Sequence, residues 1–85
     1  MIEIAIPKEM GDAPPSWRNF VHQIRDQYLN DNPNSDWGNV ADNILNEELR
    51  KYNGHVVFVP YHHDSKSKMF FLTKQDHLVW ALKWA

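Results

Sequence analysis

The lack of cysteine constrains the fold of this chain more than any other feature of its sequence. Small domains often rely on disulfides or on cysteine-bound zinc, because their apolar cores are small. Both devices are excluded here, so the 85 residues must hold together by packing, and we expect them to form one domain, 1–85. Four Trp, four Phe and three Tyr supply that core and argue against a disordered chain.

Periodic apolar residues predict a strand and two helices in the first half of the chain. Isoleucine recurs at every second position from Ile2 to Ile6, which is typical of a strand with one buried face. Two stretches follow in which apolar residues recur every three or four positions, as on an amphipathic helix. The expected N-cap is Ser16 for the first helix and Ser35 or Asp36 for the second, and Gly54 is the expected left-handed residue after it.

A hairpin and a final helix complete the chain. Residues 55–61 predict a strand covered on both faces, or on one face and by a partner, and 69–72 predict the returning strand. Thr73 is the expected N-cap of the last helix, with Asp76 in a capping box. The predicted fold is α+β, an open sandwich of order β-α-α-β-β-α with a three-stranded, mostly antiparallel sheet and helices packed on one face. We expect the first strand to lie beside the last.

The charge balance and hydropathy exclude several classes of protein. The net charge is −2, whereas a duplex-DNA binder usually carries a basic excess and a DNA mimic a large acidic one. The sequence has no apolar run long enough for a membrane span and does not begin like a signal peptide. We therefore expect no membrane partner and a cytoplasmic location.

The consecutive residues His62, His63 and Asp64 are of the types that bind zinc, iron or manganese. Adjacent residues on an extended chain point to opposite sides, so His62 and His63 do not readily share one ion. We therefore expect no metal site, no cofactor and no enzymatic activity. A metal-dependent hydrolase that uses this loop remains a third hypothesis, after the two given below.

Basic and aromatic residues cluster around the predicted turn of the hairpin, at Tyr61, Lys66, Lys68 and Lys74. Such a cluster can bind single-stranded nucleic acid through stacking and phosphate contacts. The alternative is a solvated hairpin tip whose lysines protect the sheet from edge pairing.

The last helix is apolar over most of its circumference, so we expect it to lie in the core or to contact another chain. Leu78 and Leu82 are expected in the core, where an aspartate would unfold the domain. Some apolar surface should remain exposed, and tryptophan is common at interface hot spots. The expected partner-binding residues are Trp80, Trp84 and His77 on this helix, with Tyr61, His62 and His63 at the hairpin tip.

The chain ends in FFLTKQDHLVWALKWA, with Phe71, Asp76, Trp80, Leu82, Lys83, Trp84 and Ala85 at the positions of a recurring pattern. This ending resembles the C-terminus of many short accessory proteins of contractile-tailed bacteriophages, including those of marine cyanobacteria. The opening IEIAIPKE is similar in style, while the two central helices are not part of the resemblance. The resemblance implies a phage origin, and with it the host cytoplasm, but no defined activity and no functional residues.

These observations favour a small non-enzymatic protein-binding module. Its expected partner is a host protein, which it would inhibit or redirect, or a second copy of the chain. The alternative is a small nucleic-acid-binding or transcription-modulating protein. A minor component of the virion also remains open.

Overall fold

The computed structural model describes residues 1–60 and 66–85. It confirms the α+β class and the order β-α-α-β-β-α. The elements are β1 (Ile2–Ile6), a short 3-10 turn (Met10–Asp12), α1 (Pro15–Asp31), α2 (Trp37–Arg50), β2 (Gly54–Val57), β3 (Ser67–Phe71) and α3 (Lys74–Lys83). Among the described residues, no helix is long and apolar enough to cross a membrane.

The helix starts follow the sequence signals with one exception. The Asp36 side chain caps α2 by accepting from the Gly38 N–H at 3.0 Å. At α3, Thr73 Oγ1 accepts from the Asp76 N–H at 3.2 Å, and the Asp76 carboxylate accepts from the Thr73 N–H at 3.1 Å, so the capping box is confirmed. The expectation of Ser16 as the cap of α1 is wrong: Pro14 occupies the N-cap position and the helix begins at Pro15, whose fixed φ suits a first helical position.

In the turn between α2 and β2, the left-handed residue is not the expected Gly54. Asn53, and not Gly54, has the left-handed backbone, with a φ of 56°. Gly54 begins β2 and lies against β3, where a Cβ atom would come within 2.8 Å of the Phe71 ring and 3.1 Å of the Phe70 carbonyl oxygen. A glycine is therefore needed at 54 for close packing.

The three strands form one antiparallel sheet in the order β1-β3-β2, which confirms that the first strand lies beside the last. Met69 lies at the centre of the sheet, opposite Ile4 on one side and Val56 on the other. The side chains on this face are covered by the helices, whereas the opposite face is open. The helices therefore pack on one face of the sheet, as predicted. Of the two alternatives for this strand, coverage on both faces is wrong, because Val57 of β2 lies on the open face and is exposed.

An aromatic cluster joins α1, α3 and β3 in the core. The Phe20 ring lies edge-on to the indoles of Trp80 and Trp84, with centroids 5.5 and 5.2 Å apart. Trp80 also contacts Phe71 at 5.5 Å. The Asn19 side chain donates to the Trp84 carbonyl oxygen at 3.0 Å and fixes the end of α3 against α1.

Candidate functional site

The tryptophans of α3 point inward. Trp80 is 0% exposed and Trp84 is 8% exposed, so the expectation that apolar surface would remain exposed around these two indoles is wrong. The physical reason is size, since an indole buries more apolar area than an aliphatic side chain and fits over the Phe20 ring. In the isolated chain neither indole is available as a contact residue.

His77 lies next to the core and not on an open surface. Its ring is half-buried, 5.2 Å from the Phe71 ring and 6.1 Å from the Trp80 ring. Burial lowers the pKa of His77 below its usual value, because the charged imidazolium loses hydration there. The neutral imidazole therefore acts as a packing group at neutral pH.

The outer side of α3 carries aliphatic residues in place of the expected indoles. Leu78 is 52% exposed, Val79 51% and Leu82 78%, so the expectation that Leu78 and Leu82 lie in the core is wrong. Leu82 follows Leu78 by four positions and Val79 by three, so the three side chains lie on one side of the helix, which we call the α3 face. Contiguous exposed apolar surface of this kind usually marks a contact site.

The sequence could not decide which side of α3 faces inward. A helix that is apolar over most of its circumference gives no single direction for the core. The signal that distinguishes the two sides is side-chain volume, because both indoles lie on the side opposite Leu78 and Leu82.

The hairpin-tip residues Tyr61, His62 and His63, together with Asp64, lie outside the described residues. Their assignment to a partner-binding surface, and the hydrolase hypothesis that depends on this loop, stay predictions. Within residues 1–60 and 66–85, no group of three or more His, Asp or Glu side chains is arranged to hold a metal ion.

An apolar groove opens between α1, α2 and the segment that follows β2, with a volume of about 330 Å³. Trp17, Val21, Trp37, Leu45 and Phe58 contribute to its walls, and its polar lining among the described residues comes from Lys8 and Ser67. Trp17 and Trp37 belong to the apolar stripes of the first two predicted helices, a pattern that predicts core or staple residues but no groove. The groove was missed because it forms from the separation of three elements, which no local pattern encodes.

The open face of the sheet carries a pair of stacked rings, separate from the aromatic cluster in the core. The His55 and Phe70 rings stack at 5.0 Å, on directly opposed positions of β2 and β3. Beside them Lys68 contacts the Glu3 carboxylate at 3.2 Å. Such a face offers ring surfaces and one balanced ion pair to a ligand.

Comparison with known protein families, with curated proteins and with solved structures found no match for this chain. Its function is therefore inferred from its own surfaces.

Proposed function

We propose that this chain is a non-enzymatic module that binds another protein through the α3 face. The observation that carries the proposal is the exposure of Leu78, Val79 and Leu82 on one stripe of a helix. Three adjacent aliphatic side chains, each more than half exposed, supply apolar area for a contact but no acid, base or nucleophile. Exposed apolar surface of this kind is typical of recognition sites.

The inner side of α3 supports the same proposal. The buried indoles of Trp80 and Trp84 anchor the helix to Phe20, and the capping box fixes its first turn. A helix held in this way presents its outer residues in one geometry, so a partner would have little conformational entropy to overcome on binding. The resemblance of residues 70–85 to phage accessory proteins points to a host protein as the partner, which the module would inhibit or redirect in the host cytoplasm.

The test compares two leucines that are both more than half exposed. Leu82→Gln changes the α3 face, whereas Leu72→Gln, the matched control, changes an exposed leucine outside α3. We expect Leu82→Gln to weaken binding of the captured host protein by more than about 2 kcal/mol, as at an interface hot spot, and to leave the melting temperature unchanged. The measurement is quantitative capture from a host lysate, followed by titration of the purified partner. Equal capture by both variants and the wild type would refute the proposal.

The open face of the sheet favours a second candidate function, binding of single-stranded nucleic acid. The His55–Phe70 stack offers a ring surface to bases, and Lys66 and Lys68 line a shallow groove beside Phe70. The net charge of −2 and the pairing of Lys68 with Glu3 make it the weaker candidate. Retention on a single-stranded DNA column that falls steeply with salt would favour it over a protein-binding role.

A further inference from the structure

The two edges of the sheet differ in how their backbone groups are satisfied. On the β2 edge, the Val56 N–H donates to Asn46 Oδ1 at 2.7 Å, and Asn46 Nδ2 donates to the Val56 carbonyl oxygen at 3.2 Å. The side-chain amide of Asn46, from α2, thus takes the place of a neighbouring strand. Blocking an edge in this way prevents another strand from pairing there.

Among residues 1–60 and 66–85, nothing comparable covers the β1 edge. The Leu72 N–H donates to the Asn53 carbonyl oxygen at 3.0 Å, which shows that even-numbered residues of β3 bond toward β2. Because the bonds of an antiparallel ladder alternate, the odd-numbered residues of β3 bond to β1. Their partners in the register are the isoleucines of β1, so the backbone groups of Glu3 and Ala5 point away from the sheet.

Within the described part of the chain, no backbone or side-chain group bonds to these outward groups of Glu3 and Ala5. Ile2 and Ile4, on the covered face of the same strand, are only partly buried. An edge strand with free donors, free acceptors and partly exposed apolar side chains is a template for another strand.

We propose that two copies of this chain pair through β1, antiparallel, and join their three-stranded sheets into one continuous sheet. A two-fold axis perpendicular to the sheet would relate the copies and keep all helices on one face. This surface is separate from the α3 face, so the proposal goes beyond the proposed function and does not depend on it.

The sequence of β1 selects one register for this pairing. With Glu3 opposite Glu3 of the second copy, like charges would lie directly across from each other and repel. With Ala5 opposite Ala5 of the second copy, Glu3 would face Pro7, which has no N–H to donate. The register between these two pairs Glu3 with Ala5 of the second copy. It satisfies the outward groups of both residues and places Ile4 beside Ile4 of the second copy.

Charge complementarity on the open face favours a second copy as the occupant. Lys68 lies opposite Ala5 and contacts Glu3 of its own chain at 3.2 Å. In the selected register, Glu3 of the second copy lies opposite Ala5, on the side away from Lys68. The backbones of Lys68 and of that Glu3 are therefore two strand spacings apart, about 10 Å. The small Ala5 side chain leaves room for the long lysine to extend over it. Each lysine then lies between two carboxylates.

The test uses the whole chain, with sedimentation measured over a concentration series. We expect the wild type to dimerise and Ala5→Pro to raise the dimer dissociation constant by about thirtyfold or more. The N–H of Ala5 donates across the interface once from each copy, so the substitution removes two intermolecular hydrogen bonds. The N–H of Ala5 is not used within its own sheet, so proline there should leave the monomer folded. Ala5→Ser, the matched control, keeps the N–H and should dimerise like the wild type.

A charge exchange keeps the proposal testable if Ala5→Pro does not fold. Glu3→Lys should weaken the dimer, because it places like charges at positions 3 and 68. Adding Lys68→Glu should restore the dimer, because the ion pairs between these positions form again with the two charges exchanged. A wild type that stays monomeric at millimolar concentration would overturn the proposal. A dimer that tolerates both Ala5→Pro and Glu3→Lys would overturn it as well, and so would one that Leu82→Gln abolishes.

Discussion

His77 is the residue through which pH should act on the stability of the domain. Burial against Phe71 and Trp80 lowers its pKa in the folded state below about 6.5, the pKa of an unperturbed histidine. The unfolded chain therefore takes up the proton first as pH falls. The stability that depends on neutral His77 is fully present above about pH 6.5 and is lost as pH falls from there toward the folded pKa.

We expect His77→Gln to reduce the loss of unfolding free energy between about pH 7 and 5 relative to the wild type. Urea unfolding at a series of pH values measures this slope. His22→Gln makes the same substitution at an exposed histidine on α1 and serves as the matched control. An unchanged slope in His77→Gln would show that the burial of this ring has no effect on its protonation.

At the scale of elements, Asn46 connects α2 to the edge of β2. Asn46→Ala would leave the part-buried N–H and carbonyl of Val56 without their partners, which should cost about 1–3 kcal/mol of unfolding free energy. Asn43→Ala, at an exposed position of the same helix, should change stability by less than about 0.5 kcal/mol. Urea unfolding measures both variants. Faster hydrogen exchange of the Val56 amide in Asn46→Ala would show that the stability is lost at this edge of the sheet. Equal stability of the two variants would contradict the role assigned to Asn46.

The elements themselves were predictable because each has a strong local signal. Alternating isoleucines indicated β1, and Thr73 with Asp76 indicated the start of α3. The orientation of α3 was not predictable, since Leu78 and Trp80 are both apolar and only three-dimensional packing distinguishes them. The same limit applies to the groove and to the cover that Asn46 gives to β2, because both arise between elements distant in the chain.

At the scale of the whole molecule, stability depends on the contact of α1, α3 and β3 around Trp80. Trp80→Ala removes a fully buried indole and should cost about 3–5 kcal/mol, a large part of the roughly 5–15 kcal/mol that stabilises a domain. Leu82→Asp, on the outer side of the same helix, should cost less than about 1 kcal/mol, mainly through the helix dipole. Thermal melts followed by circular dichroism measure both. If Leu82→Asp unfolded the domain, the orientation of α3 would be wrong.

The division of α3 into an indole side and an aliphatic side also has an evolutionary consequence. Substitutions at Trp80 or Trp84 would be removed by selection whatever the chain recognises, because they disrupt folding. Substitutions at Leu78, Val79 or Leu82 leave folding nearly unaffected, so this side is free to drift or adapt. If the α3 face is the binding surface, as proposed, lineages of such a protein could change their target within a single helix, without passing through unstable intermediates.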